Sequence, residues 1–254
     1  MSLYDLTSRP GSDASFTLVV LHHAGGSARG YLPWAGHLPS DWRLLGVDLP
    51  GRLPTPAGPV CRTVPQAVDH LHTVLRPQLR GPYAVFGHSM GALLGYELVR
   101  VLEASPHPPS WLAVSASPAP HRAGARGAAD RRTDWPAERL HAFARELGGV
   151  PEQLWHHPRL SELVLRTLRN DLAIVDDYGG RPVDRPPLRT AIEVYGGDAD
   201  PLAPADRMPG WARHTRGAVA FHTLPGGHFY LFDRAAEVCA RLVATRRGVG
   251  QSVG

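Results

Sequence analysis

The chain has 254 residues, 43% of them hydrophobic, which is enough for a single domain with a sizeable core. Its net charge of +4 comes from 27 basic residues, all arginine, against 23 acidic ones. The sequence has no run of about 18 apolar residues and no basic leader before an apolar stretch, so it supports neither a membrane span nor a signal peptide, and we expect a cytoplasmic protein. Two cysteines, Cys61 and Cys239, are too few for a disulfide framework and are expected to be free thiols.

The arginine bias leaves two interpretations open. It follows from coding composition, which also suits the abundant alanine, glycine and proline, or it builds an arginine-bearing face for an acidic partner. Nucleic acid is not expected as a partner, because the arginines are dispersed and no basic helix with interleaved aromatic residues occurs.

Six apolar runs are typical of buried strands. They are Phe16–Leu21, Trp42–Val47, Tyr83–Phe86, Trp111–Val114, Ala191–Tyr195 and Val219–Leu224. Most are separated by helix-compatible stretches such as Val64–Leu79, so we predict the α/β class, with a mostly parallel, doubly wound sheet and helices on both faces. Leu3–Leu6 is predicted to add a short leading strand.

The segment Gly87-His88-Ser89-Met90-Gly91 directly follows the third run and matches the Gly-x-Ser-x-Gly nucleophile elbow. A tight turn from a buried strand into a helix strains the serine backbone and requires small flanking residues, which Gly87 and Gly91 provide. Residues 92–100 are mostly apolar and predict the helix that follows. Ser89 is therefore the candidate nucleophile of an α/β-hydrolase fold.

An insertion over about 118–187 is too long for a simple crossover. Its apolar residues recur at helical spacing, so we predict a helical lid within a single domain of residues 1–254. The residues in question are Leu140, Phe143, Ala144, Leu147, Leu160, Leu163, Val164, Leu168, Leu172 and Val175. A small independent domain is the weaker alternative. The tract Ala123–Ala129 is predicted to act as a mobile hinge, and the tail Arg246–Gly254 is predicted to be disordered.

In this fold the serine is followed along the chain by an acidic residue and then a histidine, each on a loop after a strand. His228 follows the last strand after Pro225-Gly226-Gly227, and we predict that it is the catalytic base. Two acids follow the preceding strand. We favour Asp200 for the triad because it precedes Pro201 at the end of the loop, while Asp198 is the alternative or a turn cap.

An oxyanion hole needs one backbone amide after the nucleophile and one from the loop after an early strand. Met90 supplies the first. The second lies in His22–Ser27, where Ala24 is the first choice and His23 the next. The paired histidines alone do not predict zinc, since no third ligand follows at zinc-like spacing, so we expect no metal and no cofactor.

Taken together, five segments resemble those of the stand-alone type II thioesterases that serve polyketide synthases and nonribosomal peptide synthetases. The segments are His23–Ser27, Pro50–Arg52, Gly87–Glu97, Gly197–Pro201 and Pro225–Phe229. The tracts Leu147–Pro151 and Leu168–Leu172 also resemble the lid of that family.

The resemblance implies hydrolysis of acyl groups from the phosphopantetheine arm of acyl or peptidyl carrier proteins, by a monomeric enzyme that acts without a membrane. The lid would then sort acyl chains. We expect His23 and Phe229 to contact substrate, and Trp135, Phe143 and Trp155 to present their rings to the acyl channel.

Two departures from the family pattern stand out. His22 occupies the place of the usual proline, and Leu53–Pro56 replaces a polar, acidic stretch. Three rivals remain: a broad carboxylesterase; a terminal thioesterase that releases or cyclises a product, disfavoured because the first long strand begins at Phe16; and a carrier-binding protein without activity, disfavoured by the intact triad.

Overall fold

The computed structural model describes residues 3–7, 14–52, 59–123, 131–148, 150, 152–179 and 185–251. Within them, seven strands form one sheet in the order β1-β3-β2-β4-β5-β6-β7. The strands are β1 (Leu3–Asp5), β2 (Phe16–Leu21), β3 (Trp42–Val47), β4 (Tyr83–His88), β5 (Trp111–Ser115), β6 (Ala191–Gly197) and β7 (Val219–Leu224). Strand β1 is antiparallel to β3 and the other neighbours are parallel, which confirms the predicted sheet.

The α-helices of the described residues lie in the connections between strands or follow β7. They are α1 (Val64–Leu75), α2 (Met90–Leu102), α3 (Ala137–Leu147), α4 (Glu152–Trp155), α5 (Pro158–Tyr178), α6 (Tyr230–Asp233) and α7 (Ala235–Gln251). Short 3-10 segments cover Ala28–Gly36 and Ala205–His214, among others. None of the helices in these ranges is both long enough and apolar enough to cross a membrane.

Alternating strand residues build a core on each face of the sheet, because successive side chains of a strand point in opposite directions. Val85 and Val114 pack on the face covered by α1 and α2. Phe86 and Trp111 pack on the other face, against Ala28–Gly36 and α7. Helices therefore cover both faces, as the sequence predicts.

The register aligns the carboxyl ends of the central strands. Leu21 at the end of β2 pairs with Gly87 of β4, which pairs with Val114 of β5. Since the carboxyl ends of parallel strands share one edge, the loops after β2, β4, β5, β6 and β7 meet there.

The segments outside the sheet match the sequence-based predictions only in part. The described part of the 118–187 insertion forms α3, α4 and α5, whereas most of the hinge tract, residues 124–129, lies outside the described residues. The predicted helix Val64–Leu79 ends at Leu75 and tightens into a 3-10 turn. The prediction of a disordered tail was wrong up to residue 251. Helix α7 continues to Gln251, and the Arg246 guanidinium lies 5.0 Å above the Phe16 ring.

Candidate active site

Ser89 occupies a strained turn between β4 and α2. Its φ of 56° lies in the left-handed region, which a residue with a side chain rarely adopts. A Cβ on Gly87 would collide with the Gly91 carbonyl, and one on Gly91 would collide with the Leu21 carbonyl. The two glycines are therefore required by close backbone approach, and the half-buried Ser89 hydroxyl faces the pocket at the edge of the sheet.

His228 bridges Ser89 and Asp200. Its Nε2 lies 3.0 Å from Ser89 Oγ, and its Nδ1 lies 2.8 Å from Asp200 Oδ2. Burial alone would raise the pKa of Asp200, but hydrogen bonds from His228 and from the amides of Leu202 and Ala203 lower it below its usual value. The carboxylate therefore stays ionised, holds the proton on Nδ1 and leaves Nε2 free to accept the Ser89 proton.

Asp198 has a different task. It is exposed, and its Oδ1 accepts a hydrogen bond of 2.9 Å from the Gly226 amide, in the loop that carries His228. The structure thus brings Asp200, and not Asp198, to the imidazole. Asp198 ties the two loops together instead.

The peptide groups next to Ser89 and Ala24 have fixed directions. The Ser89 carbonyl accepts from the Ala92 amide at 3.0 Å, and the His23 carbonyl accepts from the Gly26 amide at 3.0 Å. Because a trans peptide holds its N–H opposite its C=O, the N–H groups of Met90 and Ala24 point away from these bonds. Within the described residues neither amide donates a hydrogen bond. Both are therefore available to a developing oxyanion.

His22 and His23, the first two residues of the loop His22–Ser27, are buried and neutral. Burial, reinforced by Arg52, lowers the pKa of His22 well below its usual value. Burial, followed by repulsion from His228 and Arg52, lowers the pKa of His23 to about 3. The His23 ring packs edge-on against Phe229 at 4.7 Å between centroids. A Cβ on Gly26 would overlap that ring, so the loop needs glycine there.

A pocket that is partly open to solvent extends from Ser89 and His228 beneath α3 and α5. Its walls include His23, Phe143 and Phe229, which were predicted to contact substrate. Most of the remaining wall is apolar. It includes Leu93, Leu147, Leu168, Leu172 and Val175.

Trp135 and Trp155 do not line this pocket, contrary to the sequence-based expectation. The Trp135 ring stands edge-on behind Phe143 at 5.5 Å, with the Arg139 guanidinium 3.8 Å above it. Trp155 packs against His141 at 4.6 Å. Both indoles pack against other side chains of the helical segment, because helical periodicity fixes which face is apolar but not which neighbours a ring contacts.

Known proteins and solved structures resemble this chain along most of its length. The sequence profile of the thioesterase domain family matches residues 16–245. The chain belongs to the thioesterase domain family. Thioesterase PikA5 of Streptomyces venezuelae is 34% identical over 91% of this chain and 80% of its own length. A Brevibacillus parabrevis relative named linear gramicidin dehydrogenase LgrE is 31% identical over 94% of this chain and 91% of its own. Among solved structures, the type II thioesterase BorB from the borrelidin biosynthetic cluster superimposes with a TM-score of 0.85 at 34% identity, covering 96% of this chain and 97% of that one.

This thioesterase carries a buried ion pair that the sequence did not predict as part of the site. Arg52 Nη2 pairs with Asp171 Oδ2, and the same oxygen accepts from the Gly25 amide at 2.7 Å. Burial raises the pKa of Asp171, against the opposing effects of Arg52 and the Gly25 amide. One signal was present in the sequence: Asp171 falls on the apolar stripe of α5 between Leu168 and Leu172, where a lone charge needs a partner.

A second set of polar contacts connects His88, the residue before Ser89, to β5 and α6. His88 Nδ1 lies 2.9 Å from Ser115 Oγ, which lies 2.7 Å from Tyr230 Oη. Nowhere in the described ranges do three or more histidine, cysteine, aspartate or glutamate side chains gather as a metal site.

Proposed function

We propose that this chain is a type II thioesterase that hydrolyses acyl groups from the phosphopantetheine arm of carrier proteins in polyketide or nonribosomal peptide biosynthesis. One observation carries the mechanism: Ser89, His228 and Asp200 form a continuous relay with distances of 3.0 and 2.8 Å. Membership of the thioesterase domain family and the likeness to BorB support the reaction class and the pathway type.

In the first half-reaction, Ser89 Oγ attacks the thioester carbonyl carbon while His228 Nε2 takes its proton. The carbonyl oxygen becomes an oxyanion, and we assign its two hydrogen bonds to the Met90 and Ala24 amides. When the tetrahedral intermediate collapses, the C–S bond breaks, and the departing pantetheine thiolate takes the proton from His228. The acyl group is left as an ester on Ser89.

In the second half-reaction, water attacks the acyl-serine and gives its proton to His228. The intermediate collapses, Ser89 Oγ recovers the proton, and the acyl group leaves as an acid. Asp200 holds the imidazole in the productive tautomer throughout. No step requires a metal or a cofactor.

The segment that carries α3 and α5 serves, in this proposal, as the lid that sorts acyl chains within a single 254-residue domain. Phe143, Phe229 and His23 contact the acyl group or the arm, while Trp135 stiffens the lid from behind. The preferred substrates are short chains that have stalled or been loaded wrongly. We further propose that the enzyme is a cytoplasmic monomer that binds neither nucleic acid nor membranes.

Hydride transfer, the activity in the name of LgrE, is not favoured for this chain. A dehydrogenase has no use for a strained serine aligned with a histidine and an aspartate, whereas acyl transfer needs all three. A broad carboxylesterase shares this relay, so the test must compare the two kinds of ester.

The decisive experiment is mass spectrometry of carrier proteins loaded with different acyl groups, before and after incubation with the enzyme. We expect wild type to return carrier protein whose phosphopantetheine arm ends in a free thiol, and Ser89→Ala to lose at least about 10³-fold in rate while remaining folded. Phenylmethylsulfonyl fluoride should label Ser89 and spare Ser117, which also lines the pocket. Oxygen esters cleaved far faster than acyl-pantetheine would favour the carboxylesterase, and label on Ser117 would refute the nucleophile.

A further inference from the structure

Helix α5 reaches down to the loop that carries the proposed oxyanion amide. Asp171, 2% exposed, accepts the Gly25 N–H at 2.7 Å. One turn earlier, Leu168 packs directly over Gly25: a Cβ placed on this glycine would lie 3.4 Å from Leu168 Cβ. A hydrogen bond and an apolar contact therefore join the same helix to the same residue.

Arg52 joins Asp171 to the carbonyl side of the same loop. Besides pairing with Asp171, it donates from Nε to the Gly26 carbonyl at 2.7 Å and from Nη1 to the Leu49 carbonyl at 3.0 Å. Its side chain is 6% exposed and that of Asp171 is 3% exposed. Such a desolvated pair holds a fixed geometry, because breaking it would leave a charge uncompensated in the interior.

Each of the two peptide groups that flank Ala24 Cα is thus fixed by one hydrogen bond. The His23 carbonyl is held within the loop, and the Gly25 N–H is held by α5. We propose that Asp171 is a positioning residue that aims the Ala24 N–H at the oxyanion, so that the helix lining the acyl pocket also controls transition-state stabilisation. This inference rests on the proposed function.

The consequence concerns how acyl-chain fit reaches the chemistry. Leu168, Leu172 and Val175 line the pocket from the same helix that carries Asp171. A chain that packs well against them keeps α5 seated on Gly25 and the hole assembled. Acyl preference is then expressed in kcat as well as in KM, since only the transition state uses the Ala24 amide fully.

The test compares two double variants that both remove the buried charges. Arg52→Gln with Asp171→Asn keeps an acceptor for the Gly25 N–H, whereas Arg52→Gln with Asp171→Leu removes it at similar volume. We expect the second to fall about 10²-fold below the first in kcat for acetyl-pantetheine, with similar KM. Asp177→Leu is the matched control: it lies on the same helix, its Oδ2 accepts from Val64 N at 2.9 Å, and its kcat should stay within about twofold of wild type.

Two further measurements separate positioning from general damage. A trifluoromethyl ketone analogue of acetyl-pantetheine, which forms an oxyanion on Ser89, should weaken in parallel with kcat/KM across the variants. Asp171→Glu keeps the pair with Arg52 but displaces the acceptor, and should show the same loss in kcat even if the leucine variant fails to fold. Unchanged analogue affinity, or a loss confined to KM in the folded variants, would overturn the proposal.

The same comparison is made with p-nitrophenyl acetate, whose hydrolysis uses the same oxyanion hole. If wild type cleaves this ester but no acyl-pantetheine, the proposed substrate fails while the role of Asp171 is still decided. If both substrates are cleaved and the asparagine and leucine variants have equal kcat, the role of Asp171 fails and the proposed function stands.

Discussion

The Nδ1 of His22 lies 2.8 Å from the carbonyl oxygen of His23, and the Leu49 amide donates to His22 Nε2 at 3.3 Å. Because Nε2 accepts, the proton must be on Nδ1, and the neutral ring donates to the carbonyl opposite the Ala24 N–H. A proline, usual here in the type II thioesterases that the sequence resembles, has no side-chain donor for that carbonyl. His22 therefore supplies this chain with its own support for the loop that carries the proposed oxyanion amide.

This arrangement predicts the effect of His22→Phe. The substitution keeps an aromatic ring but removes both hydrogen bonds, so we expect kcat to fall about tenfold with a smaller change in KM. Steady-state kinetics with acetyl-pantetheine measure it. His37→Phe, at an exposed position, is the control and should leave kcat unchanged. Equal kcat for the two variants would show that the His22 contact does not support the loop.

The two aspartates after β6 should differ sharply. Asp200→Asn removes the carboxylate that fixes the His228 tautomer, and we expect kcat to fall about 10³- to 10⁴-fold. Asp198→Asn retains an oxygen acceptor for the Gly226 amide and should cost less than about threefold. The comparison requires matched circular dichroism spectra for both proteins. A larger loss from Asp198→Asn would reverse the assignment of the acid.

The pocket should show a gradient of acyl-chain preference along α5. Leu168 packs over Gly25, and Val175, two helical turns further on, lies about 10 Å away along the axis. Val175→Phe should abolish turnover of long acyl-pantetheines and spare acetyl, while Leu168→Phe should slow all chains. Rates for a series from acetyl to decanoyl test this. An unchanged chain-length profile for Val175→Phe would move the selectivity element elsewhere.

Acid should destabilise the fold through its buried histidines. Burial lowers the pKa of His23 to about 3 and that of His214 to about 4 from 6.5, and it also lowers the pKa of His22 and His88. Below pH 6.5 these histidines bind protons in the unfolded chain but stay neutral in the folded chain, where their pKa values are lower. The free energy of unfolding therefore falls with pH down to about 4, by at most about 5.5 kcal/mol per pH unit for four protons.

Urea denaturation between pH 7 and 4.5 measures this dependence. His214 is a suitable probe, since its Nε2 lies 2.8 Å from His121 Nδ1, away from the Ser89 pocket. His214→Asn should reduce the slope by about 1.4 kcal/mol per pH unit. Stability that does not change between pH 6.5 and 5 would show that these rings take up protons in the folded state.

The sequence was a good guide wherever one local pattern decides the outcome. All six apolar runs are strands, since a parallel sheet covered on both faces demands continuous apolar residues. The Ser89 elbow was recognisable because only glycine tolerates its close contacts. The partnership of Asp171 with Gly25 spans 146 positions and depends on how α5 packs, which no local pattern encodes. Trp135 was misplaced for the same reason.

The apolar wall of the pocket also governs how the proposed reaction ends. The substrate enters as a neutral thioester, which loses little hydration beside Leu172 and Val175. Hydrolysis converts it into an acid that ionises at neutral pH, and a carboxylate that stays among these apolar side chains must give up water; the one arginine among the described residues of the wall is Arg132, whose guanidinium lies 4.5 Å from the Phe143 ring. This loss of hydration arises only after the acyl group has been released as an acid. The same surface that retains the unreacted chain thus favours departure of the product, so accumulated free acid should inhibit this enzyme weakly.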